Sequence, residues 1–429
     1  MKRTIARPTG PAYLCRQSQN TMVEVHSPQE AIALEEQYGA HNYHPLPVVL
    51  SRGEGVFLWD VEGKKYFDFL SAYSAVNQGH CHPRIIQALI EQAKELTLTS
   101  RAFYNDKLGL AERYVCETFG YQKALFMNSG AEANETAIKL ARKWGYTRKG
   151  IPADKAVIVA AKKNFHGRTT TIISASTDPT ARAGFGPFMP GFEIIDYDDV
   201  AALEKAVSNP NVCGLWIEPI QGEAGVYVPK DGYLKAAEQA CRKNNVLLMM
   251  DEIQTGIART GKMLASDHEG VRPDMLILGK ALSGGVLPVS CVLADDAVML
   301  VIKPGEHGST FGGNPLAAAV CMEALQVVKD EGLAAKAERL GIIFRSRMNA
   351  LKTKTDRITL VRGKGLLNAI VINDTPESDT AWNLCMTFAA NGLLAKPTHG
   401  NIIRLAPPLV ITEEQIHECC DIIEKSLLG

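Results

Sequence analysis

Although ten cysteines are scattered along the 429-residue chain, no two of them stand in a Cys-x-x-Cys arrangement. That spacing speaks against a disulfide framework and against a cysteine-rich zinc site, and it suits a reducing compartment. Charge of one sign is also lacking. Lys and Arg total 46 against 47 Asp and Glu, for a net charge of −1. No basic block runs beyond a few residues, which argues against nucleic acid or an acidic membrane surface as the main partner. The most basic stretch, KLARKWGYTRKG (139–150), reads as the solvated face and end of a helix. No apolar run approaches the 18 residues of a membrane span. Internal repeats and low-complexity segments are absent as well.

Two nucleotide signatures are missing. GIARTGKM (256–263) fits the G-x-x-x-x-G-K part of a P-loop, but Met263 occupies the position where Ser or Thr must bind magnesium. A thioether is a poor magnesium ligand, so nucleotide hydrolysis is rejected. No G-x-G-x-x-G opens a helix after a strand, which leaves a dinucleotide site unsupported. QGHCHP (78–83) offers His80, Cys81 and His82, but no second ligand-rich cluster completes a tetrahedral site. A structural loop is the better reading there, and no metal is expected.

What the chain does have is an alternation of apolar runs with helical patterns. KALFMNS, AVIVAA, FEIIDY, CGLWIEP, VLLMMDE, MLILGK and VSCVLA, between residues 123 and 294, read as buried strands. Between them AEANETAIKLARKWGYT carries Ala137, Leu140, Ala141 and Trp144 on one helical face. This pattern implies an α/β fold with a mostly parallel seven-stranded sheet covered on both sides, and ligands beyond the carboxyl ends of its strands. The flanks differ. GVFLWDVEGKKYFDFL suggests a short meander turning at Glu62-Gly63, and the chain beyond residue 331 suggests a smaller α+β unit. The expected division is 1–82, 83–331 and 332–429, with the first segment packing against the last.

Residues 1–23 carry Lys2, Arg3, Arg7 and Arg16 with no acid before Glu24, as a transit peptide to the mitochondrial matrix would. Pro8, Gly10 and Pro11 spoil an amphipathic helix there, and the expectation is a cytoplasmic protein.

Three polar groups fall at predicted strand ends: Asn128-Ser129-Gly130, Asp251 and Lys280. Ser129 and Gly130 lead into a helix whose free N–H groups suit a phosphate, although taken alone a plain helix cap is the better reading. Asp251 reads either as a turn cap or as a carboxylate awaiting a cation. Lys280 ends an apolar strand, where an unpartnered ammonium costs several kcal/mol and must snorkel, pair or become neutral. An amine, a carboxylate and a phosphate cradle together match the needs of pyridoxal 5'-phosphate.

With MNSGAEANETAIKLAR, FHGRT, MMDEIQTGIARTGKM, LGKALSGG and STFGGNP in this order, the chain resembles the class III (subgroup II) aminotransferases of fold type I. GAHNYHPLPVVL, EPIQGEAGV, GEHGSTFGGNPL and LLAKPTHGNIIRLAPPLVI are similar to those of the ornithine δ-aminotransferases within that class. The resemblance implies a fold type I transferase with a large cofactor-binding domain and a small domain built from the chain ends.

The resemblance also implies roles for individual residues. Lys280 forms the Schiff base and shuttles the proton, Asp251 pairs with the pyridine nitrogen, and Gln254 reaches the ring hydroxyl. Phe165 stacks on the ring, and Glu218 and Ser309 belong to the cofactor shell. Ser129, Gly130 and Ala131 hold the phosphate together with Thr310 from the partner subunit, which makes a homodimer the minimal active unit. Tyr43 and Arg168 grip the α-end of ornithine, and Tyr73 lines the pocket. Arg404 binds the α-carboxylate of 2-oxoglutarate, and Glu223 neutralises Arg404 while ornithine is bound. Glutamate is the second product. One position departs from the pattern: His166 stands where the ornithine enzymes carry Trp, which raises the question of donor choice.

Overall fold

The computed structural model describes Val25 and residues 27–429, so the basic segment 1–23 lies outside the described residues. All seven apolar runs form strands of one sheet. They are β1 (Lys123–Met127), β2 (Val157–Ala161), β3 (Phe192–Ile195), β4 (Val212–Ile217), β5 (Leu247–Asp251), β6 (Met275–Leu278) and β7 (Ser290–Ala294). Their spatial order is β1-β7-β6-β5-β4-β2-β3. Strands β2 to β6 pair in parallel, and only β7 runs antiparallel to its neighbours. Every residue of β4, β5 and β6 is buried, because both faces of the sheet are covered.

Helix Gly130–Trp144 covers one face, burying the predicted Ala137, Leu140, Ala141 and Trp144 against Trp216, Met249 and Ile277. Helix Tyr233–Lys243 covers the other, with Tyr233, Leu234, Ala237 and Cys241 packed on Leu215, Leu248 and Met250. Each such Leu or Ile is worth roughly 1.5–3 kcal/mol of transfer free energy on burial.

The chain ends meet. Leu50–Glu54, Phe57–Asp60 and Lys65–Asp68 form the meander, and Leu393–Leu394 adds to it in parallel beside Lys65–Asp68. A second antiparallel sheet holds Ile358–Lys364, Leu367–Ile372, Ile402–Leu405 and Lys396–Thr398. Its strand Ile402–Leu405 carries Arg404 toward the central sheet.

The P-loop look-alike turns out to be a junction. Arg259, fully buried, donates to the carbonyls of Leu366 (3.1 Å) and Pro407 (2.6 Å) and to Asn77 Oδ1 (2.6 Å). Burial pulls its guanidinium down to about 9, with Asp68 opposing the shift. One side chain thus ties the N-terminal segment, the central sheet and the C-terminal part together. In QGHCHP the two imidazoles diverge: His80 pairs with Asp68 at 2.7 Å and His82 with Glu331 at 2.8 Å. Among the described residues no metal-binding cluster forms.

One local feature has no sequence signature. Ser71, Ala72, Tyr73 and Ser74 all have positive φ (50°, 45°, 60° and 73°), a left-handed turn without glycine. Each such residue costs roughly 1–2 kcal/mol. Asp68 Oδ1 holds the turn's entry by accepting from the Leu70 and Ser71 amides, both at 2.8 Å.

Candidate active site

Because β4, β5 and β6 run in parallel, their carboxyl ends deliver Glu218, Asp251 and Lys280 to one edge of the sheet. They line a cavity of about 110 Å³ together with Gly130, Phe165, His166, Gly167 and Gln254. Lys280 itself lies in the left-handed region (φ 44°), just past the extended Gly279, so the chain turns sharply at the strand's end. Among the described residues, none hydrogen-bonds its ammonium. Burial lowers its pKa from the ordinary lysine value, while Asp251, Glu223 and Glu218 pull the other way.

Asp251 is only 4% exposed, yet it is well supplied with donors. Its Oδ2 accepts from Asn134 Nδ2 (2.9 Å) and His166 Nδ1 (2.6 Å), and its Oδ1 from the Ile253 amide (3.1 Å). A carboxylate has about four acceptor positions, so one remains for a cation in the cavity. Asn134 is in turn fixed by Trp216, whose indole N–H donates to Asn134 Oδ1 at 2.9 Å. The His166 ring stacks on Trp216 at 3.8 Å. His166 is therefore turned under Asp251, with its side chain enclosed.

Glu218 accepts from the Phe165 amide at 3.0 Å. Burial, reinforced by Asp251, pushes its carboxyl well above the usual range.

At the opposite end of the cavity Ser129 caps helix Gly130–Trp144 in a full capping box with Glu132. The plain-cap reading is therefore correct for the Ser129 hydroxyl as an acceptor. It leaves the amides of Gly130 and Ala131 as the unpaired donors of the first turn, aided by the helix dipole. Ser309 Oγ accepts from Asn128 Nδ2 at 2.9 Å and so stands beside this cradle. Thr310 is exposed.

Above the cavity Arg404, 2% exposed, donates to Glu223 Oε2 at 3.0 Å, with Gln254 Oε1 at 3.3 Å and the Gly222 carbonyl at 3.4 Å. Its guanidinium carbon lies 4.6 Å from the Tyr73 ring, aimed there by the left-handed turn. Burial raises the Tyr73 phenol; Glu223 adds to the shift and Arg404 opposes it. Arg168 stands over Phe165 (5.4 Å) at the wall of an outer cavity of about 380 Å³ that also reaches Glu223 and His399. Tyr43 is 74% exposed and lines neither cavity.

An amine free of partners among the described residues, a carboxylate with one open acceptor position, and a helix N-terminus with two open donors face one another across a single space. This donor set fits a group carrying an aldehyde, a ring cation and a phosphate. The sequence model of the family described as aminotransferase class-III matches residues 38–427. The chain belongs to the class III aminotransferases. It is 61% identical to the mitochondrial ornithine aminotransferase of Drosophila melanogaster, over 96% of this chain and 95% of that one. Its fold is similar to that of the Toxoplasma gondii ornithine aminotransferase, a structure described with partial occupancy of PLP at the active site. There the TM-score is 0.93 at 52% identity, over 94% of this chain and 95% of that one. A protein from Elizabethkingia anophelis named acetylornithine aminotransferase superposes with a TM-score of 0.89 at 64% identity, over 94% of this chain and all of that one.

Asn134 and Trp216 went unnoticed in the sequence. Trp216 reads as one more apolar residue of β4, and Asn134 as a polar residue of a helix. Only their meeting at Asp251 gives them a task.

Proposed function

We propose that this chain is an ornithine δ-aminotransferase that moves the δ-amino group of L-ornithine to 2-oxoglutarate. The products are glutamate 5-semialdehyde, which cyclises to pyrroline-5-carboxylate, and glutamate. The observation that carries this reading is the Arg404–Glu223 pair, 3.0 Å apart. One pocket must accept a diamino acid by its far end and a keto acid by its near end. A free buried arginine suits the α-carboxylate of the second and repels the cationic end of the first. A carboxylate partner that can swing aside serves both.

When bound, pyridoxal 5'-phosphate supplies an aldehyde that condenses with amines and a pyridine ring that accepts the electron pair released at the substrate carbon. Lys280 would hold the aldehyde end, Asp251 the pyridine nitrogen, Gln254 the ring hydroxyl and Phe165 the ring face. The amides of Gly130 and Ala131 would hold the phosphate, with Ser129 and Ser309 beside them. Lys280, its basicity lowered by burial, takes the proton from Cδ of ornithine and returns it in the second half. Glu218, its carboxyl pushed upward by burial, would hold the Phe165 backbone beside the ring. Tyr43 and Arg168 take the α-end of ornithine, with Tyr73 between them and Arg404.

Thr310 would complete the phosphate site of a second copy. The exposed rings of Phe103, Tyr104 and Phe311 support a homodimer, because apolar surface of that size favours cover. The division proposed is 1–82, 83–331 and 332–429, supported by a central sheet that lies wholly within 123–294. No helix among the described residues is long and apolar enough to cross a membrane. The fly relative is named as mitochondrial, which favours the matrix over the cytosol.

The test is the amine-donor profile of the purified protein on L-ornithine, N-acetylornithine and 4-aminobutyrate. Pyrroline-5-carboxylate is trapped with 2-aminobenzaldehyde. Ornithine should give the highest kcat/KM. A preference for N-acetylornithine, in line with the name of the Elizabethkingia relative, would replace ornithine as the donor.

Glu223→Ala leaves Arg404 buried without its carboxylate partner. Donors that react through an α-amine beside a carboxylate, such as glutamate, should gain on ornithine by roughly ten- to a hundredfold in relative kcat/KM, the range of a charge-assisted hydrogen bond. An unchanged ratio would remove the switching role.

A further inference from the structure

Tyr43 lies on a segment, residues 39–49, that forms neither helix nor strand. Two polar or ring contacts reach its middle from elsewhere in the chain. Lys396 Nζ donates to the His44 carbonyl at 2.7 Å. The Trp382 ring stacks on the His44 imidazole at 4.5 Å, with planes 8° apart. Both anchors belong to the C-terminal part, far away in sequence.

Lys396 is also the cross-strand partner of Arg404, in the antiparallel pair Lys396–Thr398 with Ile402–Leu405. Two residues along its own strand, the Thr398 hydroxyl donates to the Glu223 carbonyl at 2.7 Å. A single two-stranded ribbon therefore holds the Arg404–Glu223 pair with one set of side chains and the Tyr43 segment with another. An exposed tyrosine outside helix and strand has many positions to choose from, and fixing it in one costs conformational entropy. The clamp on its neighbour covers that cost before substrate arrives.

We propose that Lys396 and Trp382 are positioning residues for the diamino acid, acting through His44 to set Tyr43 at the α-end of the donor. This rests on the reading of the chain as an ornithine enzyme in which Tyr43 meets ornithine. The keto acid, held by Arg404, does not depend on the clamp. The device therefore tunes one substrate of the pair and leaves the other alone.

The experiment uses the holoenzyme and the variants Lys396→Met and Trp382→Leu. Both keep most of the apolar volume while removing the donor or the ring. The KM for L-ornithine should rise roughly tenfold, the effect of about 1.4 kcal/mol. The KM for 2-oxoglutarate, kcat and the visible spectrum of the bound cofactor should stay within twofold of wild type. Lys396→Arg and Trp382→Phe, which keep a donor and a ring, should restore ornithine affinity. Chymotryptic cleavage at Tyr43 should be faster in the Met and Leu variants, a readout that needs no substrate. An ornithine KM unchanged in both variants, or both KM values rising together, would overturn the clamp. Ornithine turnover by the wild type is measured first: its absence refutes the donor assignment, whereas proteolysis still tests the clamp.

Discussion

Lys280→Ala should abolish transamination and remove the visible absorption band of the bound cofactor in the same protein. Lys280 is the amine lining the inner cavity, and among the described residues no carboxylate or carbonyl holds it in a structural bond. A positioned general base contributes roughly 10²- to 10⁴-fold by itself, and loss of the covalent attachment adds to that. The direction of its pKa also fixes a pH limb. Burial lowers it, so the neutral amine forms below the pH at which a free lysine would lose its proton. A step that needs Lys280 as a base should accelerate as pH rises through that lowered value and then level off. Single-turnover measurements across pH read this limb. Retention of both turnover and absorption by Lys280→Ala would refute the role.

Asp251→Ala should lower kcat by roughly 10²- to 10³-fold, the cost of removing one preorganised electrostatic group from a dry site. The structure separates two parts of that cost. Asp251 supplies a negative charge, and it also anchors a network of His166, Asn134 and Trp216. Asp251→Asn keeps an acceptor for that network while removing the charge. If charge dominates, the Asn variant should be nearly as slow as the Ala variant while binding cofactor better. Equal activity of Asp251→Asn and wild type would show that no cation meets this carboxylate.

Much of the frame was legible from residue order. Seven apolar runs became seven strands, because a segment buried on both faces has no room for polar residues and cannot hide its pattern. The ends of those runs were legible for the same reason: a charge that follows four or more buried apolar residues must sit where the sheet stops. The inference that Asp251 and Lys280 share an edge needed only the parallel βα alternation. The His166 departure could be seen in the sequence but not interpreted there. Residue numbers do not show which way a ring turns, and the structure turns it under Asp251.

Other features had no local signal. Nothing in Ser71–Ala72–Tyr73–Ser74 announces four consecutive left-handed residues, since none is glycine. Asp68 and the surrounding packing hold that conformation against its intrinsic cost. Arg259 sits in a stretch that mimics a phosphate loop, and its work as a junction depends on carbonyls at positions 366 and 407.

The amino-acid order alone decided the sheet and the edge to which Asp251 and Lys280 are brought, because burial and strand polarity are written in short windows. Tertiary structure decided how the site is tuned. The contacts of Arg404 with Glu223, of His166 with Asp251 and of Lys396 with His44 join residues 181, 85 and 352 positions apart. A hydrogen bond acts over about 3 Å, and only folding brings such distant residues within that range.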